Sequence, residues 1–238
     1  MQFRFLAACA ALLLTTPGMA QDETDEYLRL ATTLTDDALS EQSFEIAIQI
    51  GFKGVLEADE EMVALETECP GLISTMAEAA RPVMWELHQR DNLDYRTALH
   101  KLFARRLSRE EAAGGAGFFA SPLGKRFVYT LQLGISADNV IADVVSNEDM
   151  SISRGSLERD TRTSALRGIL ALSPEDRKEL TRLFSSEDWA RAFSRIQPEV
   201  TALQHKLVNQ DYPPEDHARI DASVQPATIA HFEKCDDR

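Results

Sequence analysis

Histidine is scarce in this 238-residue sequence, and the common motifs of zinc enzymes and serine hydrolases are missing. The five histidines are His88, His100, His205, His217 and His231. No two of them are four residues apart, so the chain lacks a His-Glu-x-x-His zinc motif. It also lacks the Gly-x-Ser-x-Gly elbow of serine hydrolases. We therefore predict no catalytic residues, although an enzyme whose residues are scattered along the chain is not excluded.

Metal ligands come together at one place only, near the C-terminus. His231, Glu233 and Cys235 alternate with other residues there, but no second cluster supplies the remaining ligands of a zinc site. The acidic run at 57–68 lacks the Asp-x-Asp-x-Asp-Gly loop of a calcium site and is interpreted as a solvated face. The sequence predicts no metal site and no cofactor.

Cysteine is limited to three residues, one of them inside a predicted export signal. Removal of Cys9 leaves Cys69 and Cys235, and two cysteines in an oxidising compartment predict a disulfide. The alternative is two unpaired thiols too far apart to meet. Neither residue belongs to a Cys-x-x-Cys motif, so a thioredoxin-like role has little support.

Long apolar runs are absent after the first twenty residues. Within residues 1–20, Arg4 precedes an apolar stretch, and small residues precede a predicted cleavage site between Ala20 and Gln21. A lipoprotein box at Cys9 is disfavoured because most of the apolar stretch follows it. No later segment has the roughly 18 apolar residues of a membrane span. The mature chain is predicted to be periplasmic or secreted, without a transmembrane segment.

Positive charge is scarce overall but concentrated in one region. The net charge of −14 becomes −15 without Arg4, which argues against nucleic acid as a partner. Between residues 96 and 126, however, seven cations accompany only two acids. We call these cations the basic face, and they are Arg96, Lys101, Arg105, Arg106, Arg109, Lys125 and Arg126. They predict docking on an anionic partner; the alternatives are internal pairing with the acidic run 57–68 and plain solvated charge.

The stretch 107–126 carries the clearest helix signals. Ser108 and Glu111 have capping-box spacing, and Ser121-Pro122 combines an N-cap with a proline at the first helical position. Residues 172–191 repeat this pattern 65 residues later, with Phe184 aligned to Phe119. We predict two related helical-hairpin units, with Phe118, Phe119 and Phe184 in the core.

The sequence of 107–126, with Phe-Phe-Ala-Ser-Pro-Leu-Gly-Lys at 118–125, resembles the bacterial domain-of-unknown-function family 2059. The shared motif consists of Ser108, Glu111, Phe118, Phe119, Ser121, Pro122 and Gly124. The resemblance implies an exported, all-helical envelope protein, and it brings no established activity or catalytic residues. This chain departs from the family pattern at Gly114, Gly115 and Gly117, which we interpret as sites of tight helix packing, and in the second copy at 187–189.

Two segments fit both a strand and a helix. Residues 44–53 and 127–135 alternate with period 2, but both also place apolar residues on one helical face. The helical surroundings favour buried helices. Farther along, we predict a helix over 72–89 and a new helix capped by Asn92 or Asp94. We therefore predict an all-α helical bundle with an N-terminal half at 21–145, a linker at 146–164 and a C-terminal half at 165–238, packed as one compact domain.

These observations predict a non-enzymatic envelope protein that docks through its basic face. The anionic partner would be a protein, a lipid headgroup or an envelope polymer. The alternatives are an envelope hydrolase with an unrecognised site and a weak membrane-surface binder, because a single charged patch binds lipid weakly without a second anchor. The sequence does not indicate the oligomeric state.

Overall fold

A computed structural model describes residues 25–35 and 37–236, and this part of the chain is helical without any β-strand. The all-α prediction is confirmed. The predicted signal peptide lies outside the described residues. The α-helices, in chain order from α1 to α12, are Glu26–Leu34, Asp37–Ile46, Lys53–Ala58, Glu60–Glu68, Leu72–Arg106, Arg109–Ala120, Pro122–Leu133, Asp138–Ser146, Arg154–Ala171, Pro174–Ser186, Asp188–Val208 and Pro214–Asp236.

Helix α5 is the long axis of the fold, with 35 residues and a length of about 52 Å. The sequence indicated a break near Asn92 or Asp94, and that expectation is wrong. Asn92 is buried rather than capping a new helix, and its side-chain amide donates to the carbonyl oxygen of His88 one turn earlier. The helix therefore continues to Arg106 and links two separate cores.

The first core surrounds the C-terminal half of α5. Tyr95, Leu99 and Phe103 of α5 pack there with residues of α1, α6, α7, α10 and α11. Its centre is an aromatic cluster formed by Phe118, Phe119, Phe127, Phe184, Trp189 and Phe193. The rings of Phe118 and Trp189 stack with centroids 4.7 Å apart. The corners of the two predicted hairpin units therefore touch.

The prediction that all three corner phenylalanines are core residues is wrong for Phe184. Phe118 and Phe119 are each 8% exposed, whereas Phe184 is 37% exposed. Phe184 meets Phe118 and Phe127 edge-on, with centroids 5.9 and 6.1 Å away. It lies at the outer border of the aromatic cluster because α10 supplies little further cover; Leu180 is its one buried residue.

The second core surrounds the N-terminal half of α5. Met76, Ala80 and Met84 pack there with apolar residues of α2, α4 and α12. Residues 47–52 form a π-helix between α2 and α3, in which Ile48 and Phe52 are buried. Both segments that fit either a strand or a helix are thus helical, as we favoured. The prediction of burial is wrong for 127–135, because Tyr129 and Leu133 of α7 are 47% and 58% exposed. A disulfide between Cys69 and Cys235 joins the ends of α4 and α12, with the Cα atoms 5.7 Å apart, and confirms the predicted bridge.

The predicted linker at 146–164 contains a loop and the first half of α9. Ser153 caps that helix through its hydroxyl, which accepts from the backbone N–H of Ser156. The Cβ that an alanine would carry at Gly168 comes within 2.8 Å of backbone atoms of Leu131, so α9 crosses α7 closely. The division into two related halves remains a prediction.

Candidate functional site: the basic face, a polar cleft and the disulfide end

The basic face divides into two groups. Arg105 and Arg109 flank the start of α6, whereas Lys125 and Arg126 follow its end. A helix of 12 residues separates the groups by about 18 Å.

Arg96, Arg106 and Arg126 of the basic face make contacts with other helices. Arg96 is half-buried and donates to the hydroxyl and carbonyl oxygens of Thr35, at the end of α1. Arg106 pairs with Glu199 at 2.9 Å. Arg126 makes a two-pronged contact with Asp176, at 2.9 and 2.7 Å. These contacts join α5 to α1 and α11, and α7 to α10, so they have a structural role that the sequence did not indicate.

Exposed cations remain at the end of α5. Lys101 and Arg105 are exposed, and with Leu93 and Thr97 they follow one another at four-residue intervals. Leu93 is 56% exposed, which places a large apolar side chain on the same stripe. The stripe combines positive charge with apolar surface, as protein-binding patches often do.

Two residues of the acidic run at 57–68 accept hydrogen bonds from backbone N–H groups at the starts of helices. Asp59 accepts from the backbone N–H groups of Glu61 and Met62 and caps α4. Glu66 accepts from the N–H groups of Gly71 and Ile73 at the start of α5. In the basic face, Arg106 pairs with Glu199 and Arg126 pairs with Asp176, and neither acid belongs to the acidic run.

The motif residues of 107–126 build the corner between α6 and α7. The hydroxyl of Ser108 accepts from the N–H of Glu111 at 3.1 Å, and the Glu111 carboxylate accepts from the N–H of Ser108 at 2.8 Å. Ser121 caps α7 by accepting from the N–H of Gly124. Pro122 occupies the first turn of α7. The motif is therefore a structural device in this chain.

A polar cleft of about 290 Å³ lies where the middle of α5 meets the loop before α12. Its lining includes Arg90, Asp91, Asp94, Tyr95, Asp211 and Tyr212. The Tyr212 hydroxyl donates to Asp91 at 2.7 Å. Burial raises the pKa of Asp91, against the lowering effect of Tyr212 and Arg90. No sequence motif indicates this cleft, because its two walls are about 120 residues apart in the chain.

A buried polar chain lies behind the cleft. The Ser40 hydroxyl is 2.8 Å from Nε2 of His88, and the side-chain amide of Asn92 is 3.0 Å from the same nitrogen. Burial lowers the pKa of His88 to about 4, although its hydrogen bond with Ser40 acts in the opposite direction. Nδ1 of His88 has no hydrogen-bond partner within the described residues. Ser40 is fully buried, and among the described side chains no carboxylate bonds to the ring of His88, so this pair lacks the arrangement of a nucleophilic serine.

Three residues that can bind metals come together at the disulfide end of the molecule. Cys69, His231 and Cys235 each place a ligand atom within 4.8 Å of the other two. Glu233, which the sequence places between His231 and Cys235, is exposed and does not belong to this group. The fold adds Cys69 to His231 and Cys235, although Cys69 lies 162 residues before His231 in the chain.

No family model, curated protein or solved structure matches this chain. The resemblance to family 2059 therefore remains a hypothesis that depends on residues 107–126. In the described part of the chain, no helix combines the length and apolar character needed to cross a membrane.

Proposed function

We propose that this chain is an exported, non-enzymatic envelope protein that docks on an anionic partner through the exposed part of its basic face. The observation that carries the proposal is the stripe of Leu93, Thr97, Lys101 and Arg105 on α5. Exposed cations beside an exposed leucine suit an acidic surface that also offers apolar contact. The whole chain carries a net charge of −14 although residues 96–126 are positive, so the rest of the chain is strongly acidic and does not compete for an anionic partner.

The contacts of the other cations limit which residues can be replaced to test docking. Arg96, Arg106 and Arg126 make contacts between helices, so their replacement would remove these contacts as well as any docking. Lys101 and Arg105 are exposed, and their charges can change with little structural cost. The docking test therefore rests on these two positions.

Photocrosslinking in living cells tests the proposal directly. A photoreactive residue at Arg105 should give a discrete crosslinked product, and the same residue at Glu60, on the acidic run, should not. Lys101→Glu should weaken the Arg105 product, whereas Lys178→Glu, the same charge change on exposed α10, should leave it unchanged. No product from Arg105, or the same product from Glu60, would refute docking at this surface.

Binding to lipid vesicles distinguishes a lipid partner from a protein partner. Binding of the purified protein to vesicles that contain anionic lipid, lost as salt rises and lost in Lys101→Glu, would identify a lipid headgroup as the anion. Crosslinking to a protein without vesicle binding would identify a protein partner.

A hydrolase is the second candidate, and the polar cleft favours it. Asp91 has a raised pKa in a concave site beside Tyr212, as a general acid would. If the chain hydrolyses an envelope component, Asp91→Asn should abolish the activity. Glu179→Gln, which alters an exposed carboxylate on α10, should not.

A further inference from the structure

The disulfide lies beside a third side chain that binds metals. Cys69 ends α4, and His231 and Cys235 lie one turn apart on α12. Residues four apart on a helix project from the same face, so His231 and Cys235 both point to the turn that holds Cys69. The sulfur atoms and one ring nitrogen all lie within 4.8 Å of one another.

His231 is held in an orientation suited to a ligand. Its Nδ1 lies 3.0 Å from the Thr75 hydroxyl, and its Nε2 lies 3.2 Å from the carbonyl oxygen of Pro70. Metal-binding imidazoles are usually fixed by a hydrogen bond at the nitrogen that does not bind the metal. Thr75 supplies that hydrogen bond at Nδ1. Nε2 is the nitrogen better placed to bind a metal, because it would lose only its 3.2 Å contact with the carbonyl oxygen of Pro70.

We propose that reduction of the Cys69–Cys235 disulfide converts this cluster into a zinc site. The thiolates of Cys69 and Cys235 and Nε2 of His231 bind the ion, and water completes a tetrahedron. Two thiolates and an imidazole are the ligands that Zn²⁺ prefers. The disulfide and the zinc complex exclude each other, because the thiolate, not the disulfide sulfur, is the metal ligand.

Reduction of the disulfide requires a reductant, and a dithiol can serve as this reductant. The dithiol delivers two electrons and two protons to the S–S bond, and it becomes a disulfide itself. The two thiols that form then lose their protons as Zn²⁺ binds. Oxidation reverses the sequence and releases the ion.

Distances fit a tetrahedral ion after a small rearrangement. Tetrahedral zinc with usual bond lengths holds two sulfur atoms about 3.8 Å apart, and a sulfur and a nitrogen about 3.5 Å apart. The present limit of 4.8 Å leaves side-chain rotation as the only movement required. The helices need not move, since α4 and α12 already place the three residues at one point.

Cobalt binding provides the test, because Co²⁺ reports thiolate ligands and tetrahedral geometry by absorption. The protein is the full chain with Cys9→Ser, so that Cys69 and Cys235 are the only cysteines. It is reduced with a dithiol, freed of reductant without oxygen, and titrated with Co²⁺. We expect a thiolate-to-cobalt charge-transfer band that saturates at one equivalent, is displaced by Zn²⁺, and is absent from the oxidised protein.

Variants separate the proposed ligands from adventitious binding. His231→Ala should weaken Co²⁺ binding at least tenfold, and Thr75→Val about tenfold or more, as for other supporting residues of metal sites. His100→Ala, at an exposed histidine that contacts Asp25, should have no effect. Zn²⁺ should also raise the Tm of the reduced protein and not that of the oxidised protein, since only the folded chain assembles the site.

Four results would overturn the proposal. They are no charge-transfer band in a reduced protein that keeps its helical circular dichroism, equal Co²⁺ binding by the oxidised protein, equal affinities for His231→Ala and His100→Ala, and a Tm of the reduced protein that Zn²⁺ does not change.

Discussion

Alanine at Gly117 and at Gly124 should have opposite effects on stability, although the two glycines are only seven residues apart. A Cβ at Gly124 would lie 2.0 Å from the carbonyl oxygen of Phe118 and 2.7 Å from the Cα of Phe119. These are backbone atoms of the α6–α7 corner, so the clash can be relieved only by opening the corner. At Gly117, by contrast, an added Cβ would meet nothing within 4 Å, so the interpretation of Gly117 as a site of tight packing is wrong.

The magnitudes follow from two opposing effects. Alanine stabilises a helix relative to glycine by about 0.8–1 kcal/mol. Overpacking costs about 1–3 kcal/mol, and a backbone clash belongs at the upper end. We expect Gly117→Ala to raise the free energy of unfolding by about 0.8 kcal/mol and Gly124→Ala to lower it by about 2 kcal/mol.

Urea unfolding followed by circular dichroism measures both variants against the parent chain. The dependence on urea concentration should stay constant, so that shifts in the midpoint report stability. Gly114→Ala gives an intermediate case, because its Cβ would lie 2.9 Å from the Trp189 ring, which is a side chain and can shift. Equal effects of Gly117→Ala and Gly124→Ala would refute the reasoning that backbone contact requires glycine at 124.

Two further predictions concern the disulfide and His88. Replacing Cys69 and Cys235 by serine removes a bridge across 166 residues, worth about 5 kcal/mol in the chain-entropy model, so the urea midpoint should fall sharply. An unchanged midpoint, or free thiols in the denatured Cys9→Ser protein without reductant, would contradict the bridge. The lowered pKa of His88, about 4 against 6.5 in the unfolded chain, means that the unfolded state binds an extra proton between these values. Stability should therefore fall by up to about 1.4 kcal/mol per pH unit as the pH drops from 6.5 to 4, and His88→Gln should reduce this slope. An identical slope in parent and variant would assign the pH dependence to other groups.

Local signals explain why the sequence predicted the α6–α7 corner correctly. A capping box joins residues three apart, and a serine before proline marks a helix start without help from the rest of the chain. The structure therefore places Ser108 and Ser121 as N-caps, as predicted. The same logic misjudged Asn92, because an asparagine inside α5 can satisfy its side chain on the preceding turn and on His88.

The basic face exemplifies the limit of charge patterns. Seven cations within 31 residues indicate a positive region, yet pairing depends on which acids the other helices bring near. Asp176 and Glu199 come from α10 and α11, 50 and 93 residues from their arginine partners. Without the fold, the cations that bind helices together cannot be separated from those that remain exposed.

The sequence by itself determined the helical class and the starts of α6, α7 and α10. It also determined which two cysteines beyond the predicted signal peptide are present to form a disulfide. These depend on interactions within about one helical turn, or on composition. Tertiary structure decided that α5 spans two cores, that Phe184 stays at the border of the aromatic cluster, and that Cys69 meets His231 and Cys235. Such meetings depend on how whole helices pack, and packing is set by apolar surfaces far apart in the chain, which local spacing does not reveal.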